Sequence, residues 1–552
     1  MALLVDIFGF LSVMLRGLTL SAQAMTLGGI IFLLLVARPF APQLGATGET
    51  ILRRCQALTR WSALALALIV SCSVAIQVAV LVGTVDITAG AAAGADFALA
   101  GFVVIAAALG TWLACRGQLG AKATGLVVVF AIAMLLGQAV VSHAAARLDD
   151  RFPLAAADIL HLLGASAWIG GIPYFVVALA ASANGNAWRL VGSRFSHISM
   201  ISVAAVLVGG IVMATVYIGS VDAIYGTAYG VMVSTKVLLL MGLLFLGFMN
   251  FRAVERLRRD PSVPILRLRR FAEVEIGIGL TVLFAAASLT SLPPAVDLPT
   301  DRASWQEIVE RITPHWPSLE SPDHGQLAIP ELQARYAAVV AASNQASQPQ
   351  AYVPGSGIVA PRNAEDIAWS EYNHHWSGIL VLAIGLLALL ERSGYGPWAR
   401  HWPLLFLVLG GFLLLRSDPE TWPLGDVGFL ESFRDPEVVQ HRIFVVLISA
   451  FAFFEWGVRT GRVKSPGAAL VFPLITAVGG GLLLTHSHAI ANIKEQLLIE
   501  ITHVPLALCG ITAGWARWLE LRLEPPANRI AGWIWPLAFV GVGLILLAYR
   551  ES

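Results

Sequence analysis

The sequence predicts an all-α, polytopic integral membrane protein of about 14 transmembrane helices with both termini extracytoplasmic, and three observations carry that reading. Hydrophobic residues make up 57% of the 552 and charged residues only 13%. Apolar runs of roughly twenty residues, the length that crosses a hydrocarbon layer of about 30 Å, recur from one end to the other. The connections between them alternate between arginine-rich and acidic, the signature of successive cytoplasmic and outer loops.

The apolar runs fall near 8–37, 60–84, 97–115, 122–142, 153–181, 196–219, 230–251, 271–292, 375–390, 402–415, 441–457, 467–485, 499–519 and 530–549. Arg38, Arg53, Arg54 and Arg60 follow the first run, whereas the next connection holds Asp86 and Asp96. Arg116 with Lys122, Arg189 with Arg194, and the arginines from Arg252 to Arg270 mark further inner connections. In the second half Arg392, Arg400, Arg459, Arg462, Lys464, Arg517, Arg522 and Arg529 read as inner, and the acidic loop Asp418 to Glu437 as outer. The tenth run is short, but dropping it would reverse every later connection, so it counts as a span. Ser21-Ala22-Gln23-Ala24 has the small residues of a signal-peptide cleavage site. No basic stretch precedes it and the apolar run continues to Ala37, so it is expected to be the first span.

Three regions follow: an eight-helix membrane domain at 1–292, an extracytoplasmic segment at 293–374 and a six-helix membrane region at 375–552. The middle segment is rich in Pro, Ser, Gln and Trp, with a helix expected around Ile329 to Ala342. Within the first region, Arg16 to Ile30 parallels Asp158 to Ile172, both ending in Gly-Gly-Ile, with Thr19 where the second copy has His161. The echo points to a 4+4 repeat, and the glycine pairs would let helices approach closely. A net charge of +1 leaves no basis for a nucleic-acid partner, and four cysteines, two of them inside apolar runs, give no disulfide framework.

The candidate chemistry lies in the histidines. Imidazole suits copper or zinc, and most of the twelve histidines fall on the side assigned as outer. His486 and His488 form a His-x-His pair at the end of one run; Glu500 and His503, three apart, share a helix face. His374, His375 and His441 join this outer set, with His143, His315 and His324 also outside and His197 and His401 inside. Solvated histidines at the headgroup level are the bland alternative for all of them. His161, about two turns into the fifth run, is the deepest candidate, because lipid burial penalises an unpaired ionisable group. Met232, Met241 and Lys236 in the seventh run form a possible pathway, thioethers being Cu(I) ligands, although the Met spacing does not keep to one helix face. Lys236 either snorkels outward or pairs with a carboxylate. Glu273 and Glu275, beside the arginine-rich connection, are expected to form interfacial ion pairs.

The stretch from Arg194-Phe-Ser-His through Thr235-Lys236 and Asn250 to Glu275 resembles the membrane domain of the copper resistance protein D (CopD) family. His161-Leu-Leu-Gly-Ala-Ser-Ala-Trp-Ile-Gly-Gly is similar to that family's preceding helix, and the resemblance covers about 1–292. The remainder resembles longer bacterial CopD-like proteins with an extra membrane region: HHWSGILVL at 374–382, RSDPETWPLGDVGF at 416–429, QHRIF at 440–444 and THSHAIANIKE at 485–495. The resemblance implies copper transport or copper handling at the bacterial inner membrane, with copper ion bound and a periplasmic copper-binding protein as partner. It implies no catalytic site. Neither a phosphate-binding loop nor an Asp-Lys-Thr-Gly motif is present, so movement would be passive or coupled to an ion gradient. Two alternatives stand beside transport: a haem b electron-transfer protein, with His161 and His143 or His503 as axial ligands, and a scaffold that delivers copper without moving it.

Overall fold

The computed structural model describes residues 4, 7–85, 87–142, 147, 150–182, 185–324, 327, 364–434, 436–485 and 493–551. Thirteen described helices are long and apolar enough to cross a membrane, and Ala468–Leu483 is a shorter apolar helix. Together they take up every apolar run of the sequence. The helix expected around Ile329 to Ala342 lies outside the described residues. The chain divides into two compact units, the first made of Met1–Ile224 and Met232–Thr300, the second of Tyr225–Val231 and Asp301–Ser552.

In the first unit α1 (Phe8–Phe32) runs through a π turn at Leu33–Ala37 into a short helix, Arg38–Leu44. There follow α2 (Ala46–Val85), α3 (Asp96–Ala114), α4 (Ala121–Val140), α5 (Arg151–Trp168), α6 (Ile172–Ala180), α7 (Gly185–Ile218), α8 (Ala228–Arg259) and α9 (Leu266–Leu289). Helix is what hydrocarbon permits, because a spanning backbone must bond all its N–H and C=O groups internally. The side chains agree with that solvent. Leu68 is 63%, Ile201 72% and Phe245 63% exposed, an outward-facing apolar surface that water would not tolerate.

With lipid on the outside, the helices associate by close packing of small residues rather than by a hydrophobic drive. Helix α1 packs against α2, α5 and α9, and α5 packs also against α7. The crossing of α1 and α5 is made by the two glycine pairs of the internal echo. A Cβ on Gly28 would run into the backbone of Gly170 and Ser166, and one on Gly170 into the Ala24 carbonyl. Beneath the crossing, Phe175 stacks on Phe195 with centroids 4.9 Å apart, and the buried Tyr174 hydroxyl donates to the Met25 carbonyl at 2.9 Å.

Two irregularities interrupt this bundle, each at a proline. Pro39 has no N–H to offer the Leu35 carbonyl one turn earlier, and Arg194 Nε–H donates to that carbonyl instead at 3.2 Å. Arg194-Phe195 in the family-like stretch thus has a local reason, with Arg194 satisfying the α1 backbone and Phe195 filling the aromatic core. The second irregularity divides the fifth span. Helix α5 stops at Trp168, Gly171 N–H turns back to the Trp168 carbonyl at 3.1 Å, and α6 restarts with Pro173 in its first turn.

The second unit contains α10 (Ala364–Ser393), a 3₁₀ segment Pro397–Leu404 leading into α11 (Leu405–Arg416), α12 (Pro436–Arg459), α13 (Val471–Leu483), α14 (Ile493–Arg522) and α15 (Ala527–Leu547). Helix α15 packs on α10 and α14, and α13 on α14. Their shared core is aromatic: Trp402 lies 5.6 Å from Phe472 and 5.9 Å from Trp535 by ring centroid. A charged network closes one end. Arg459 bonds Glu391 at 2.6 Å and Glu455 at 2.8 Å, Arg517 bonds Glu520 at 2.6 Å, and Arg392 bonds Glu520 as well. The opposite end carries His374, His375, His441 and His503. There the described part of the segment after the first unit folds back, with a capping box at Ser304 and Glu307 and Trp376 Nε1–H donating to the Leu319 carbonyl at 3.3 Å.

Candidate functional site

In the first unit, polar groups from four helices meet within the bundle at the end where α5 and α8 begin. Arg16 on α1 is held by Gln138 on α4, whose amide oxygen accepts from both guanidinium Nη atoms at 2.5 and 2.7 Å. Asp158 on α5 lies within electrostatic reach of both Arg16 and Lys236. Lys236, from α8, acts in turn on His161, one turn beyond Asp158. Lys236 is half-buried, with Asp158 the acid that acts on it, and no ion pair within 4 Å joins it to a carboxylate among the described residues. Two basic groups flank one acid, an arrangement that keeps charges tolerable in a medium where isolated ones are costly.

His161 is the polar residue of this group best prepared for a metal ion. Its Nδ1 lies 2.9 Å from the Val206 carbonyl of α7. A carbonyl can only accept, so the proton sits on Nδ1 and the Nε2 lone pair is left to coordinate, the usual way a metal-binding imidazole is oriented. Gly209 and Gly210 make the space. A Cβ on Gly209 would lie 2.9 Å from His161 Cβ, and one on Gly210 3.4 Å from its ring. Further along α8, Met232 is buried at 3% exposure whereas Met241 is 53% exposed, so the two thioethers face the bundle and the lipid respectively.

In the second unit the structure brings His374 and His503 together. Their ring centroids are 6.3 Å apart, and Tyr549 stacks on His374 at 3.8 Å. Each imidazole is oriented by a carbonyl of its own helix, Ser370 for His374 and Ile499 for His503, both at 2.8 Å from Nδ1. Glu500 is half-buried on α14, three residues before His503. His375 points elsewhere, its two ring nitrogens taken up by the carbonyls of Ser318 and Tyr549 at 3.0 and 3.1 Å, where it ties chain segments together. His441 meets the Asp418 carboxylate at 2.5 Å. His315 and His324 contact Arg550 and the Pro419 carbonyl. His486, His488 and His143 lie outside the described residues. Among the described residues no group of three or more His, Cys, Asp or Glu side chains is gathered as a metal site.

One expectation is corrected at the other end of the first unit. Glu273 does pair with Arg270 at 2.5 Å, but Glu275 forms no ion pair among the described residues: Asn250 of α8 donates to its Oε2 at 3.0 Å. The residues that sequence reading passed over are Arg16, Gln138 and Asp158. A signal was present, because the internal echo aligns Arg16 with Asp158 and these are the two that interact.

The fold and these intramembrane charges define a class: a polytopic α-helical membrane protein with a polar site inside one of its bundles. Residues 189–289, which include Lys236, Asn250 and Glu275, match the family described as Copper resistance protein D. That match covers under a fifth of the chain. The chain is 32% identical over 169 residues to the Copper transport protein CutJ of Bacillus subtilis (strain 168), a match that spans 30% of this chain and 30% of that protein. No solved structure matches the chain.

Proposed function

We propose that this protein moves copper across the bacterial plasma membrane through its first unit, with His161 as the ligand that receives the ion inside the bilayer. The observation that carries the reading is the fixed tautomer of His161, whose Nδ1 is bound to Val206 so that Nε2 is the coordinating atom. A copper ion leaving water needs such a replacement ligand, and the flanking Lys236 with Asp158 gives the site a neighbouring charge that can respond when a cation arrives. The match of residues 189–289 to Copper resistance protein D supports copper as the metal, which imidazole alone would leave open between copper and zinc. The histidines of the second unit serve, on this reading, as an outer collecting surface on which His374 and His503 are the described pair, and a periplasmic copper-binding protein is the partner from which they take the ion.

The test is copper uptake into proteoliposomes of the purified full-length protein. His161→Ala is expected to slow uptake by at least about tenfold, the equivalent of roughly 1.4 kcal/mol on the barrier, while leaving the bulk of surface copper binding in place. Uptake by His161→Ala at the wild-type rate would refute the assignment.

A further inference from the structure

Of the three buried acids among the described residues, Glu455 faces Arg459 and Asp418 faces His441, whereas Glu275 faces the amide of Asn250. Glu275 is 4% and Asn250 8% exposed, and Asn250 Nδ2–H donates to Glu275 Oε2 at 3.0 Å. Among the described residues, Glu275 Oε1 and Asn250 Oδ1 are both buried without a hydrogen-bond partner. Two acceptors in one hydrogen-bonded pair therefore lack a donor, where buried polar groups are as a rule satisfied. Glu455 of the second unit also has one oxygen without a hydrogen-bond partner, but its charge is met by Arg459 at 2.8 Å. Among the described residues Glu275 faces no cation.

The surroundings point the same way. From α8 the carboxyl meets Asn250 and Gly247, where an added Cβ would lie 3.2 Å from Oε1 and 3.8 Å from the Trp168 ring of α5. Helices α1 and α6 also pack on α9. Helix α6 contains no charged residue, and the one on α1, Arg16, is committed to Gln138 and Asp158. On its own helix Arg269 and Arg270 are committed to Glu273. Trp168 is the last residue before the break that divides the fifth span, and interrupted helices in membrane proteins are where ions are bound and released.

We propose that Glu275, supported by Asn250, is a proton-binding site of the first unit, which exchanges its proton with water as the helix break at 169–171 rearranges. A proton added at Oε1 forms an O–H bond that turns an acceptor without a donor into a donor and removes a charge that hydrocarbon penalises. Release returns the proton to the aqueous phase, leaving the carboxylate on Asn250. The use of this proton to drive copper movement rests on the transport reading above; the site itself does not.

The experiment uses dicyclohexylcarbodiimide, which enters the bilayer, takes the proton of a carboxyl group on nitrogen and is attacked at its central carbon by the carboxyl oxygen, on the full-length protein in liposomes without copper, with the adduct located by peptide mass spectrometry. Glu275 is expected to be modified, with a rate that falls about tenfold per pH unit above the midpoint of the site and is unchanged by excess sodium chloride. Glu275→Asp should keep the modification and Glu275→Gln should lose it. Absence of modification at any pH, or protection by sodium, which would make this a metal-cation site, overturns the proposal. In copper-loaded assays Glu275→Gln should remove the step in the pH profile of uptake that coincides with the labelling midpoint. Because labelling is read without copper, a protein that labels but does not transport would refute the transport reading and leave the proton site standing.

Discussion

Substituting alanine for Gly28 sets two effects of known sign against each other. Alanine favours a helix interior by about 1 kcal/mol over glycine, and Gly28 lies inside α1. Against this, the new Cβ would come within 2.7 Å of Gly171 N and closer still to Gly170 C and Ser166 O. These are backbone atoms and cannot rotate away, so α1 and α5 must separate by on the order of 1 Å at a cost of roughly 2–3 kcal/mol. Gly28→Ala is therefore expected to destabilise by about 1–2 kcal/mol. Gly242 on α8 supplies the control, since a Cβ there meets nothing within 4 Å and only the helix preference remains. The two variants should differ by roughly 2–3 kcal/mol, or about 4–12 °C in Tm for a unit of this size. Thermal unfolding of the detergent-solubilised proteins, followed by tryptophan fluorescence, measures the gap. Two variants that melt together would refute the reasoning, because the crossing would then be looser than a glycine contact requires.

Other perturbations address the charges and the histidines. Asp158→Asn removes the acid that acts on Arg16 and Lys236 and should destabilise by about 1–3 kcal/mol; the double variant with Lys236→Met should recover part of that loss in the same melting assay. Arg194→Ala removes the donor to the Leu35 carbonyl and should cost about 1 kcal/mol. In a Pro39→Ala background, where residue 39 regains its N–H, the cost should shrink, and a double-mutant cycle in denaturant melts reads the coupling. Copper bound by His374 and His503 requires neutral imidazoles, so retention should weaken as pH falls through about 6.5, where protons compete for the same lone pairs. Equilibrium dialysis of wild type against His374→Ala and His503→Ala measures it, and the variants should bind less copper with a flatter pH profile.

The membrane-spanning helices were legible because hydrocarbon leaves the backbone one choice, so any long apolar run reports a helix whatever its neighbours do. Their lengths were less so. Helix α2 begins at Ala46 although its apolar run starts near 60, and α7 at Gly185 although its run starts near 196, since the arginine-bearing turns at these ends lie beyond the apolar stretch that hydropathy registers. The polar site was half legible. His161 stood out as an ionisable residue at depth, but the link from Lys236 to Asp158 joins α8 to α5 across 78 positions of sequence, and only folding discloses it. Glu275 shows the opposite failing: proximity to arginines in sequence predicted an ion pair, while helix rotation turned Glu273 toward them and Glu275 toward Asn250.

The unequal helix lengths of the first unit bear on how it sits in a bilayer. At 1.5 Å per residue, the 40-residue α2 is about 60 Å long and the 34-residue α7 about 51 Å, against roughly 40–45 Å for a membrane including its headgroups. The surplus is at the ends that carry Arg53, Arg54 and Arg60 on α2 and Arg189 and Arg194 on α7, so the bundle continues past the lipid as a helical stub ringed with guanidinium groups. Arginines spread over several turns offer the phosphates more than one level at which to settle. A thicker or thinner membrane can then meet the unit by sliding along these ends, and mismatch need not be taken up by tilt or by strain at the glycine crossing.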